Sequence, residues 1–331
     1  MSTDNEATER TSLLNRDLPR PNGVLQDHPI FLRTCHAPWG FISQTTLVAI
    51  RGLILMYLTI LAPMLLDYKL YKREDGDSPL RILFQFSTIT FILLWLYHLA
   101  TFCWSYTHLY YPDLDEEDNT WETALLRKMS PPEQTITSRN RFYFSLYYTV
   151  SHVFAFMNTF IFWAFVVPKG HGDLPRDRQR GDGGSGGGGD AEIFDSGNFF
   201  GHGWFEPFCV LNLWGYTALL GLFEIMLLNS IKRQIPVHTH VIGVVFLLCA
   251  YLGWAAFGKL FIGRAPYFWL DPEIVRYREL MFGYCALFVA LGPAFFAFMY
   301  GLIGLREELA EKYGSPSQEA TPEGSQQGDQ E

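Results

Sequence analysis

The chain has 331 residues, 49% of them hydrophobic and 16% aromatic, with a formal net charge of −9. Several apolar runs exceed about 18 residues, the length at which a bilayer rather than a globular core becomes the natural solvent. The acidic excess gathers in the tails and in Asp113-Leu114-Asp115-Glu116-Glu117-Asp118, which reads as solvated loop and argues against nucleic acid as a partner.

Residues 1–40 are polar, contain proline and lack an apolar h-region, so no cleavable signal peptide is expected and the first span acts as the insertion signal. This tail reads as disordered and cytosolic. Its Glu9-Arg10-Thr11-Ser12-Leu13-Leu14 resembles the acidic dileucine motif, Glu9 with Leu13 and Leu14, through which sorting adaptors bind vacuolar and lysosomal membrane proteins. Cys35, just before the first span, is a candidate for acylation. Cys103, Cys209, Cys249 and Cys285 are scattered in or beside apolar segments without metal-ligand spacing and read as small buried hydrophobes.

Six spans follow, predicted at Phe41–Asp67, Leu80–Ser105, Phe142–Val167, Pro207–Ile231, Val237–Ile262 and Leu280–Leu305. The fold class is therefore all-α, a polytopic membrane protein whose domain covers residues 41–305, with both termini on one side. Lysine and arginine divide almost evenly between the two sides, so the positive-inside rule does not orient the chain, and the dileucine motif and polar tails favour cytosolic termini in a vacuolar or endoplasmic reticulum membrane. The loop 168–206 carries a glycine run, Gly183-Gly184-Ser185-Gly186-Gly187-Gly188-Gly189, that reads as a flexible tether. It lacks the strand and helix a nucleotide loop needs. Arg306-Glu307-Glu308-Leu309-Ala310-Glu311-Lys312 extends the last helix before a disordered tail, residues 306–331.

The fourth span stands out because it carries Asn212, Thr217 and Glu224 among apolar residues, and buried polar groups in hydrocarbon need partners on neighbouring helices. It is expected to be the hub of the bundle. Arg51 in the first span and Glu224 in the antiparallel fourth fall at similar depth, which suggests a structural ion pair, with ion or proton translocation as the alternative. His98 and His152 read as satisfied core histidines rather than relay groups, and His238-Thr239-His240 as interfacial. None of these has metal-ligand spacing, so no metal and no cofactor is expected.

A resemblance spreads over much of the region from Ser87 to Pro272. Phe154-Ala155-Phe156-Met157-Asn158-Thr159-Phe160 with Phe162-Trp163, then Leu211-Asn212, Thr217 and Leu222-Phe223-Glu224-Ile225, then Tyr267-Phe268-Trp269-Leu270-Asp271-Pro272 are similar to the androgen-induced gene family and its fungal relatives. The resemblance implies a six-span hydrolase of fatty acid esters of hydroxy fatty acids, with an intramembrane threonine nucleophile and a histidine. The family's nucleophile stands near the start of the second span, where this chain has Phe86-Ser87-Thr88-Ile89-Thr90-Phe91, which places Ser87 at that position with Thr88 as fallback. At the family's histidine the chain has Tyr216 or Trp214, depending on the frame.

Ser87 and Tyr216 both fall roughly 10–14 Å below the same membrane face, and Asn158, Thr159, Asn212, Trp214 and Thr217 reach the same region as possible cavity walls. A hydroxyl nucleophile needs a base within about 3 Å, which neither tyrosine nor tryptophan provides near neutral pH. His202, just before the fourth span, and Lys259, near the end of the fifth, are the candidate replacements; the alternatives are an interfacial histidine and a snorkelling lysine. The resemblance thus implies lipid-ester hydrolysis, with catalysis weakened or lost where the histidine is replaced, and membrane lipids or lipid esters, with a sorting adaptor on the N-terminal tail, as partners. The alternatives are a non-catalytic lipid-binding or scaffold protein and, less favoured, a small-solute transporter.

Overall fold

Inside hydrocarbon every backbone N–H and C=O must find a partner within the chain, so apolar runs of this length close into helices. The computed structural model describes residues 30–71, 78–112, 120–132, 138–169, 204–263, 270, 275 and 277–313. Among them are six helices long and apolar enough to cross a membrane, Gln44–Leu70, Phe86–Tyr110, Arg139–Val166, Phe205–Leu228, Val237–Ile262 and Arg278–Tyr313. No strand occurs among the described residues. The chain is an all-α, integral, multi-pass membrane protein. Residues 1–29 and 314–331, the run Asp113 to Asp118 and the glycine run of the 168–206 loop lie outside the described residues, whereas within the tails expected to be disordered Ile30–Cys35 is a short helix and residues 306–313 continue the last span.

Helix ends differ from the predicted ones for local reasons. Ser43 Oγ accepts from the Thr46 amide at 3.1 Å and starts the first span after Phe41. The second span begins at Phe86 rather than Leu80, because Ser78 caps a separate 3-10 turn, Pro79–Phe84, and Gln85 then takes an extended conformation. The fifth span stops at Gly263, whose φ of 80° lets its N–H reach the Lys259 carbonyl at 2.9 Å. The sixth continues to Tyr313, which carries Arg306 inside the bundle.

The third span, not the fourth, is the hub. Of its most apolar stretch 61% is buried, against 44% for the fourth, and it packs on the second, fourth, fifth and sixth spans. Small polar residues make this close approach possible. Ser151 returns its hydroxyl to the Tyr147 carbonyl at 2.8 Å and Thr149 to Ser145 at 2.9 Å, so neither needs an outside partner. The fourth span is instead the irregular one. Two π-helical turns interrupt it, and they begin at its two strongest polar residues, Asn212–Tyr216 and Glu224–Leu228.

Phe86 ties the start of the second span to three others, with ring centroids 5.0 Å from Phe154, 5.0 Å from Tyr251 and 5.2 Å from Phe288. Outward faces carry large apolar residues such as Leu53, Leu219, Phe246 and Leu260. Exposed aromatic residues mark both ends, Tyr110 and Tyr143 at one, Trp163, Trp204 and Tyr277 at the other, as in the belts that sit at headgroup level.

Candidate functional site

The first polar centre lies where the first span ends and the second begins. Lys69, two residues from the end of its helix at Tyr71, extends its stem toward the start of the neighbouring helix, whose opening turn offers three oxygens. Its Nζ donates to Gln85 Oε1 at 2.8 Å, Ser87 Oγ at 2.8 Å and Thr88 Oγ1 at 2.7 Å. These use all three protons of the ammonium. No carboxylate among the described residues pairs with it. The 3-10 turn holds Gln85 in place, because Tyr251 donates to the Phe84 carbonyl at 3.2 Å and Trp254 to the Leu83 carbonyl at 3.2 Å.

Beside this cluster is a cavity of about 290 Å³. Ala62, Leu65, Leu66 and Lys69 line it from the first span, Thr88, Phe91, Ile92 and Trp95 from the second, Ile82 and Leu83 from the 3-10 turn, and Leu213 from the fourth span. Thr88 is half-buried and faces this space, whereas Ser87 is 3% exposed and is not part of the wall. A hydroxyl, an amine and an apolar pocket therefore converge, the parts list of an activated nucleophile for an apolar substrate.

The residues expected around a catalytic cavity do not line this one. Asn158 is buried and donates to the Leu213 carbonyl at 2.9 Å, and Thr217 returns its hydroxyl to the same carbonyl at 3.2 Å. Asn212 accepts from Tyr57 Oη and donates to the Phe208 carbonyl at 2.8 Å. Trp214 stacks on Phe162 at 4.0 Å, and Tyr216 meets Tyr57 edge-on at 5.0 Å. Thr159 keeps a buried hydroxyl without a hydrogen bond. Asn158, Asn212, Trp214 and Tyr216 form a seam that joins the third, fourth and first spans. Lys259 is half-buried on the fifth span, away from the cavity wall. His202, Glu9, Leu13 and Leu14 lie outside the described residues. Cys35 is fully buried, and burial pushes its thiol up to about 12, which leaves no accessible thiolate for acylation.

A second polar centre sits in the other half of the bundle. Arg51 and Glu224 are both fully buried, and Arg51 Nη2 lies 3.3 Å from Glu224 Oε1. Arg51 also donates to Ser105 Oγ at 2.6 Å and to the Thr101 and Leu228 carbonyls at 3.1 and 2.8 Å. Tyr97 Oη donates to Glu224 at 2.9 Å. The fourth span ends at Leu228, and carbonyls of its last turn and of the segment after it need partners from outside the helix. Arg306 takes them up, donating to Ile225 O at 3.0 Å, to Asn229 O at 2.8 Å and to Ile231 O. His152 donates Nδ1–H to the Tyr148 carbonyl at 2.7 Å, which leaves Nε2 as a lone pair with no partner, and neither nitrogen of His98 is hydrogen-bonded. The contacts of Glu224 converge on Oε1, while Oε2 and Arg51 Nε are buried without a hydrogen bond, and the pair joins the first span to the fourth as a structural ion pair does.

Lys69, Gln85 and Arg306 escaped the sequence reading. Lys69 and Arg306 fall just past the predicted ends of their spans, Asp67 and Leu305, where a lysine or arginine reads as interfacial. The signal that was available is the pairing itself, a lysine closing one span opposite Gln85-Phe86-Ser87-Thr88 opening the next. No group of His, Cys, Asp and Glu among the described residues is arranged to hold a metal ion. Compared with protein-family models, with curated proteins and with solved structures, the chain matches none.

Proposed function

We propose that the chain hydrolyses lipid esters within the membrane, with the Thr88 hydroxyl as nucleophile and the Lys69 amine as its general base. The observation that carries this reading is the 2.7 Å contact between Lys69 Nζ and Thr88 Oγ1 at the polar end of an apolar cavity. The resemblance to the androgen-induced gene family favours the same place, a hydroxyl near the start of the second span. A lysine would then stand in for the histidine that positions 214 and 216 lack, and neither His202 nor Lys259 is needed as the base.

In the reaction, Lys69 first gives up one proton, so that its two remaining N–H groups donate to Gln85 and Ser87 and its lone pair turns to the Thr88 hydroxyl, which then donates to it; the amine accepts the Thr88 proton while Oγ1 bonds to the ester carbonyl carbon. The C–O bond to the alcohol breaks, and the Lys69 ammonium returns the proton to the departing oxygen. Water, deprotonated by the same amine, then attacks the acyl-threonine, releases the fatty acid and restores the hydroxyl. Ser87 and Gln85 hold the amine in position, and the Gln85 amide keeps its Nε2 donors available for the oxyanion. A vacuolar or endoplasmic reticulum membrane is proposed from Glu9, Leu13 and Leu14.

A second reading, a non-catalytic lipid-binding scaffold, is favoured by the same amine. With all three donors occupied, Lys69 also serves as a clasp between two spans. Hydrolysis of a long-chain ester by the purified protein separates the two. Turnover that falls by at least about 10²-fold in Thr88→Ala, and less in Ser87→Ala, supports the hydrolase. A parent that leaves the ester intact supports the scaffold.

A further inference from the structure

We infer that the cavity beside Lys69 seats a single hydrocarbon chain entering sideways from the bilayer between the first and second spans, and that Trp95 sets the length of chain it accepts. Use of that chain as part of a substrate rests on the hydrolase reading. Its binding does not.

The cavity has one polar end, Lys69 and Thr88, and is otherwise walled by apolar side chains. Thr88 and Trp95 are seven residues apart on one helix, as are Lys69 and Ala62 on the other, so the space runs about 10 Å inward from the polar end. Spread over that length, 290 Å³ leaves a cross-section of about 30 Å², room for one extended chain and not two.

Three wall residues also face outward, Leu66 at 50%, Ile92 at 43% and Leu83 at 51% exposure. At this depth the medium they meet is hydrocarbon, so the open side of the cavity is continuous with the lipid-facing surface of the bundle. Apolar cavities exclude water, and the bilayer is the neighbouring source of chains. The inner end is closed by a side chain that is held rather than loose. Trp95 Nε1 donates to Thr59 Oγ1 at 3.0 Å, and Thr59 in turn bonds the Leu55 carbonyl at 2.7 Å, which pins the indole between the two spans.

The test uses the full chain in lipid nanodiscs and a series of fatty acids with a terminal diazirine. Light should attach the probe to residues of the first and second spans at cavity depth, and excess long-chain methyl ester should compete. Leu66→Trp with Ile92→Trp should fill the portal and lower labelling at least about tenfold. Trp95→Ala should move the preferred chain length upward by a comparable factor, the discrimination that one or two methylenes give in an apolar pocket. Trp95→Phe, which keeps a ring, provides an intermediate case should the alanine variant fail to fold. Labelling spread evenly over the lipid-facing surface, or unmoved by the tryptophan pair, overturns the inference, as does a chain-length preference that neither Trp95 variant shifts. Cavity labelling without ester turnover leaves the inference standing and removes the hydrolase reading. Turnover without cavity labelling does the reverse.

Discussion

A lysine whose three protons all go to neutral oxygens can act as a clamp or as a base, and arginine separates the two roles. A guanidinium at position 69 could still donate to Gln85, Ser87 and Thr88 but does not give up a proton in proteins. Lys69→Arg should therefore preserve the melting temperature better than Lys69→Met while both lose ester hydrolysis by about 10²–10⁴-fold, the usual contribution of a positioned general base. Hydrolysis that survives in Lys69→Arg would return the base to His202 or Lys259. In the other half of the bundle the decisive pair is Arg51 with Glu224. Removing one partner strands a buried charge at a cost of about 3–5 kcal/mol, so Arg51→Met and Glu224→Gln should each lower the yield of folded protein. Tyr97 and Asn229 also bond Glu224, which means the double variant should recover much but not all of the loss. Melting temperatures of the four proteins in detergent measure the coupling. Additive losses would show that the two side chains stabilise the bundle independently.

At the scale of elements, the site depends on a 3-10 turn seated against the fifth span. A Cβ at Gly258 would lie 2.4 Å from Phe84 Cγ and 3.0 Å from Phe84 Cβ, so the ring cannot simply swing aside and the turn itself must shift. Gly258→Ala should cost about 1–3 kcal/mol, the range for overpacking a core. It should also lower ester hydrolysis, because Gln85 follows directly after Phe84. Adding Phe84→Ala makes room for the new methyl, and recovery of the melting temperature in the pair, followed by calorimetry or a thermal-shift dye, checks the contact. The elements themselves were legible to different degrees. Long apolar runs revealed six spans, and residue counting set Arg51 and Glu224 at one depth, where they lie 3.3 Å apart. The 3-10 turn was hidden because Leu80, Ile82, Leu83 and Phe84 are as apolar as the helix after them, and hydropathy does not register the break that Gln85 imposes. Placing the first span's end at Asp67 put Lys69 in a loop, although the helix continues past it. Polarity at Asn212 and Glu224 points to the fourth span as the hub, whereas burial in the third follows from small residues such as Ser145 and Ser151, which leave no mark on a hydropathy pattern.

At the scale of the whole molecule, the two polar centres occupy opposite halves of the bundle, the Arg51–Glu224 lock toward the termini and the Lys69–Thr88 cluster toward the far face. The sidedness of the termini therefore fixes which compartment adjoins the candidate site. Sorting adaptors work in the cytosol and read the acidic residue together with both leucines, so a functional Glu9-Leu13-Leu14 signal requires a cytosolic tail and places Lys69 and Thr88 near the lumenal face. If the motif acts as a vacuolar sorting signal, Leu13→Ala with Leu14→Ala should redirect a fluorescently tagged chain away from the vacuole. Protease protection of an N-terminal tag in sealed vesicles reports the orientation in the same cells. A tag that is digested, together with a double variant that leaves the vacuole, supports both assignments. A protected tag places the candidate site on the cytosolic side and removes the motif from adaptor reach. Parent and variant in one and the same membrane, with the tag digested, would show that the orientation is right and that the dileucine match arose by chance.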